Sequence, residues 1–150
     1  MGTQEVESSV GPNGKAILNE LKAIEKQNPD LIRLKDTENG VQVCFKGQDM
    51  DVELVQMWGG AGNDSANTLE SRLQFITKKV FLDNGERNRI SFLLQQAQFK
   101  PMSGHHGNYR LDFSEDRTTI KFEKAQLAKL RDAVVEMAKI TKAARNRSWK

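Results

Sequence analysis

His105 and His106 stand side by side between Gly104 and Gly107, and they are the only two histidines in the chain. Adjacent imidazoles can supply two zinc ligands, but Asp or Glu would have to complete the sphere. Either could serve as a general base, yet that role needs a nucleophile and an orienting partner. Ser103 is close in sequence, and nothing marks it as activated. The simpler reading is an exposed turn. Asp49, Asp51 and Glu53 alternate as metal-binding carboxylates can, but the twelve-residue loop with central Gly and terminal Glu that holds calcium is missing. They read as a charged strand edge that discourages aggregation. Trp58-Gly59-Gly60-Ala61-Gly62 precedes a predicted helix start, where free N–H groups attract anions. No Lys-Ser/Thr pair follows, and the glycine spacing is not that of a dinucleotide loop, so it reads as a connector. No metal, cofactor or catalytic set is implied by these residues.

The strongest chemical signal is charge. Between Lys121 and Lys150 lie nine basic residues against Glu123, Asp132 and Glu136, a local balance of +6; the preceding residues carry 14 basic and 17 acidic groups and sum to −3. The basic set is Lys121, Lys124, Lys129, Arg131, Lys139, Lys142, Arg145, Arg147 and Lys150, with Trp149 beside the last. Arg87, Arg89, Arg110 and Arg117 are candidates to join the same side. Clustered Lys and Arg neutralise phosphates, and exposed aromatics stack on unpaired bases. The plainer alternative is a solvated helix face with a frayed basic end.

These residues need elements to position them. Residues 1–14 are rich in Gln, Glu, Ser, Gly and Pro and read as a flexible tail. From Lys15 the apolar positions Ile17, Leu21 and Ile24 recur at helical spacing until Asn28-Pro29 stops the helix. Period two follows in Leu31–Lys35, Val41–Phe45 and Asp51–Trp58, with Asn39-Gly40 supplying the positive φ of a hairpin turn. Asn67, with Glu70 three residues on, predicts a capped helix through Leu69, Leu73, Ile76 and Val80 to about Lys79; a strand from Thr77 to Leu82 is the alternative. Asp83-Asn84-Gly85 predicts a turn. Ile90, Phe92 and Leu94 alternate, which predicts a strand from Arg89 to Phe99 with a bulge at its end. Two more strands, Tyr109–Phe113 and Thr118–Phe122, lead to a long helix from about Lys124 to Arg145, its buried side Leu127, Leu130, Val134, Met137 and Ile140.

The expectation is one α+β domain over 15–147, an antiparallel sheet of about six strands with three helices in the order α-βββ-α-βββ-α, and a basic end at 148–150. Strand-then-helix closure over Thr118–Ile140 resembles the terminal βα unit of small coactivator-type single-strand binders. The whole order resembles the layout of secretion-effector chaperones, although those are commonly acidic. The first likeness implies single-stranded DNA or RNA as partner, and the second implies a partner protein docked through the sheet or the basic helix.

Cys44 lies in an alternating apolar run and reads as a buried thiol, which suits a reducing, cytoplasmic setting. No stretch approaches a membrane span, the first residues lack a signal-peptide core, and Val6 stands where a myristoylation motif wants Ser or Thr. The functional expectation is a non-enzymatic nucleic-acid-binding module, with protein docking as the alternative, no membrane contact, and self-association left open. The residues expected to carry it are Lys121, Lys129, Arg131, Lys139, Lys142, Arg145, Arg147, Trp149 and Arg110.

Overall fold

A computed structural model describes residues 11–38, 40–48, 50–59, 67–104 and 107–148. Helix α1, Pro12–Gln27, starts on a proline whose missing N–H costs nothing in the first turn. It therefore begins three residues before the predicted start at Lys15; residues 1–10 lie outside the described residues. Ile17, Leu18, Leu21 and Ile24 are fully buried along its inner stripe. Asn28 closes the helix, its side-chain amide donating to the Ile24 carbonyl at 2.9 Å.

Strands β1 (Ile32–Thr37), β2 (Gly40–Phe45) and β3 (Val52–Trp58) form the predicted antiparallel meander. Gly40 is needed for a different reason than the turn signal suggests. A Cβ there would sit 1.8 Å from the Met57 carbonyl oxygen, so only glycine lets β2 and β3 approach. Its φ is not positive.

The chain next departs from the predicted helix. Thr68–Arg72 is strand β4, and only Leu73–Thr77 turns as the short helix α2. Asn67 sits at φ +60°, a left-handed residue and not a helix cap. β4 pairs with β3 on one side and with the later strand Asn108–Asp112 on the other, and that non-local pairing overrides the local helical spacing.

The second correction concerns the predicted strand Arg89–Phe99, which is helix α3, Asn84–Gln96. Asp83 caps it: its carboxylate accepts from Glu86 N at 2.8 Å while the Glu86 side chain accepts from Asp83 N at 2.9 Å. This reciprocal box turns the predicted Asp83–Gly85 turn into a helix start. Ile90, Leu93, Leu94 and Ala97 are the buried stripe, and Phe92 points to solvent.

β5 (Lys100–Pro101) and β6 (Asn108–Asp112) complete a six-stranded antiparallel sheet in the order β1-β2-β3-β4-β6-β5. The third correction is Thr118–Phe122, which forms no strand. Arg117 N and Thr118 N both donate to the Ser114 carbonyl, and this turn leads the chain irregularly into α4, Lys124–Ser148.

The protein is thus a mixed α+β fold with a six-stranded antiparallel sheet and three long helices, the last of them the long C-terminal helix, as expected in class; a strand (β4) stands where a helix is predicted, and a helix (α3) where a strand is. α4 packs on β2, β3, α1 and α3, and one continuous core joins all of them. Leu130, Val134 and Met137 are buried as predicted, while Leu127 and Ile140 are only partly covered. Ala133, Ala138 and Ala144 fill the rest of the stripe and let neighbours pack closely.

Pleating sends opposite chemistry to the two sheet faces. The register aligns Val41, Met57, Leu69 and Leu111 across the inner face. One residue over, it aligns Lys35, Gln42, Gln56, Glu70, Arg110 and Lys100 on the far face, a polar file crossing every strand.

Candidate polyanion-binding surface

α3 and α4 run antiparallel because both ends are tied. At one end the Gln126 amide donates to the Ala97 carbonyl at 2.8 Å and its carbonyl accepts from Gln98 at 2.7 Å. At the other, Arg147 grips Glu86 with both guanidinium nitrogens, at 2.6 and 3.1 Å, and donates to the Phe81 carbonyl at 3.2 Å. The hydrogen bond from Arg147 holds the Glu86 carboxyl below its usual pKa, and the same contact raises that of Arg147.

Between these ties runs a groove of about 520 Å³, lined by Arg89, Leu93 and Gln96 from α3 and by Arg131, Asp132, Val135, Glu136 and Lys139 from α4, with Gln27 and Asn28 from the end of α1. The Phe92 ring stands beside it, 50% exposed, with the Arg89 guanidinium 5.6 Å from its centroid. Arg131 and Lys139 touch carboxylates only loosely, at 3.7 Å to Asp132 and 3.6 Å to Glu136. Contacts this long on exposed side chains contribute little and exchange readily for another anion. Lys124 and Lys142 are exposed at helical spacings of seven and eleven from Arg131, so they extend the same line along α4.

The predicted site residues divide. Lys121, Lys129, Lys139 and Lys142 are exposed, and Arg131 is half-buried in the groove. Arg145 is only 8% exposed, with its guanidinium beside Gly47 at the β2–β3 turn, so it serves packing. Arg147 is committed to Glu86. Arg110 is on the far face of the sheet, donating to Glu70 at 3.3 Å, and is not brought to the others. Arg117 pairs with Asp112 at 3.4 Å. Trp149 and Lys150 lie outside the described residues, as do His105, His106, Asp49 and Gly60 to Gly62. Tyr109 is turned inward, its hydroxyl hydrogen-bonded to Ser91. Phe92 is the functional candidate that sequence reading missed; helical spacing of Ile90, Leu93, Leu94 and Ala97 would have put it on the solvent side.

On the far face two carboxylates lock the cations around them. Glu70, 2% exposed, accepts from Arg72 at 2.9 and 3.2 Å as well as from Arg110. Asp51 takes Lys35 at 2.9 Å and Arg33 at 3.2 Å. β3 is an interior strand, so Asp51 and Glu53 do not form the predicted charged edge. Burial raises the pKa of Glu53, and it pushes the Cys44 thiol up to about 11, which keeps that thiol protonated and unreactive. Among the described residues, no three His, Cys, Asp or Glu side chains gather as metal ligands would, and no helix is long and apolar enough to cross a membrane.

Compared with known proteins, the chain matches no family model, and no curated protein or solved structure shows significant similarity to it.

Proposed function

We propose that this protein is a non-enzymatic binding module for single-stranded nucleic acid, acting through the α3–α4 groove in a reducing, cytoplasmic setting. One observation carries the reading: Arg89, Arg131 and Lys139 line a single groove beside a half-exposed aromatic ring. Loosely held cations neutralise phosphates by displacing counterions, and the Phe92 face offers a stacking platform that any base can use. A duplex-reading helix would need base-edge donors and acceptors along one face; α4 offers Lys124, Arg131, Lys139 and Lys142, which suit backbone contact.

Fluorescence anisotropy with labelled single-stranded DNA and RNA tests this. Binding is expected at low salt, and Phe92→Ala is expected to weaken it by about 1–3 kcal/mol, the usual worth of one stacked base. An absence of binding at low salt overturns the reading.

A protein partner is the second reading, favoured by Asp132 and Glu136 within the same groove and by Phe81, which is 65% exposed near the Arg147–Glu86 tie. Exposed aromatics with arginine among mixed charges have the composition of a protein interface. A stoichiometric protein that co-purifies at high salt, with no oligonucleotide binding, would select it.

A further inference from the structure

Beyond the end of α3, the short edge strand β5 and the turn after β6 enclose a separate cavity of about 310 Å³. Its chemically active lining is Lys100, Arg110, Asp112, Arg117 and Thr118. The register sets Lys100 directly opposite Arg110, so two cations share one sheet face at cross-strand distance. Like charges so placed repel and weaken a strand pair. Arg110 uses one terminal nitrogen on Glu70, yet its Nε–H is buried and has no acceptor. A buried donor left unmatched is costly. Across the cavity, Arg117 stands over Asp112, and Thr118 Oγ1 accepts from Ile120 N, which leaves the hydroxyl proton to donate elsewhere. Three cations against one carboxylate leave the lining at +2.

We propose that this cavity binds a phosphoryl dianion. One tetrahedral oxyanion between β5, β6 and the 117–118 turn separates the two facing cations, supplies the acceptor that Arg110 Nε lacks, and matches the charge of the lining. A planar carboxylate of single charge would answer only part of this. The volume is at the lower end of small-molecule sites, which run to about 300–1,000 Å³, so the occupant is a small phosphomonoester or the terminal phosphate of an oligonucleotide. None of the groove residues takes part, so the inference stands without the groove reading.

The test is thermal unfolding of the whole chain in inorganic phosphate against sodium chloride of equal ionic strength. Phosphate at roughly 100 times its Kd is expected to raise the midpoint by about 5–10 °C. Lys100→Gln with Arg117→Gln is expected to abolish that rise while leaving the midpoint in chloride little changed, because the relieved repulsion offsets the lost pair between the exposed Arg117 and Asp112 side chains. Both positions are exposed, and the Arg110–Glu70 pair is left intact. No phosphate-specific rise in the native chain, or an equal rise in the double variant, overturns the proposal. Oligonucleotides with and without a 5′-phosphate then separate the two sources: a preference lost in the double variant assigns a nucleic-acid end, and equal binding assigns a small phosphorylated ligand.

Discussion

The groove between α3 and α4 and the far face of the sheet are both rich in Arg and Lys, but they hold them differently. On the far face, Arg72 and Arg110 close on a buried carboxylate, and Lys35 and Arg33 on a second. In the groove, Arg131 and Lys139 rest 3.6–3.7 Å from exposed carboxylates. The first arrangement fixes cations as structural parts. The second leaves them able to change partner. Counting charge along the chain cannot separate these uses; burial of the opposing carboxylate does.

That contrast can be broken by mutation. Replacing Arg72 and Arg110 together with Met leaves Glu70 buried without a cation, and is expected to cost on the order of 3–5 kcal/mol in urea unfolding. Lys139→Gln with Lys142→Gln is expected to stay within about 0.5 kcal/mol by the same measurement. Equal costs would erase the distinction. The antiparallel frame of the groove rests partly on the Asp83 cap, so Asp83→Ala is expected to lose about 1 kcal/mol.

Two smaller effects carry opposite pH signs. Glu86 has a lowered pKa because Arg147 hydrogen-bonds its charged form. Its contribution is present above the ordinary value of 4.5 and disappears as pH falls through the lowered folded value. Glu86→Gln should therefore flatten the acid limb of a stability–pH curve. Glu53 has a pKa raised by burial, so its contribution is fully present below 4.5 and is lost as pH rises through the folded value. Glu53→Gln keeps the acceptor for the Gln42 amide, now 2.8 Å away, and is expected to raise the unfolding midpoint at pH 7 but not at pH 4. A neutral or destabilising result at pH 7 would show that the far face tolerates this charge better than its burial implies.

Much of the fold is readable in the residues. The β1–β2–β3 meander, helix α1 and the long α4 follow from periodicity, because each contains enough turns or alternations to fix the period. Structure departs from local pattern where two periods coexist. Ile90, Phe92 and Leu94 alternate by chance inside a helix whose real stripe adds Leu93 and Ala97, and the Asp83–Glu86 box was the stronger local evidence. Leu69 to Val80 has helical spacing, yet Thr68–Arg72 finds partners on both sides in β3 and β6, which no local pattern reveals. The candidate surface was half visible. Its cations on α4 could be named, but Arg145 turns inward beside Gly47 and Arg147 is taken by Glu86, a residue 61 positions away. Phe92 and Arg89 join the groove only once α3 is a helix.

The most direct test is the salt dependence of oligonucleotide binding, compared between the native chain and one carrying Gln at Arg89, Arg131, Lys139 and Lys142. With single strands, log K is expected to fall with log salt, and the variant's slope should be shallower by about 0.7 for each cation that meets a phosphate. A variant that binds with the native affinity and the native slope would contradict the account.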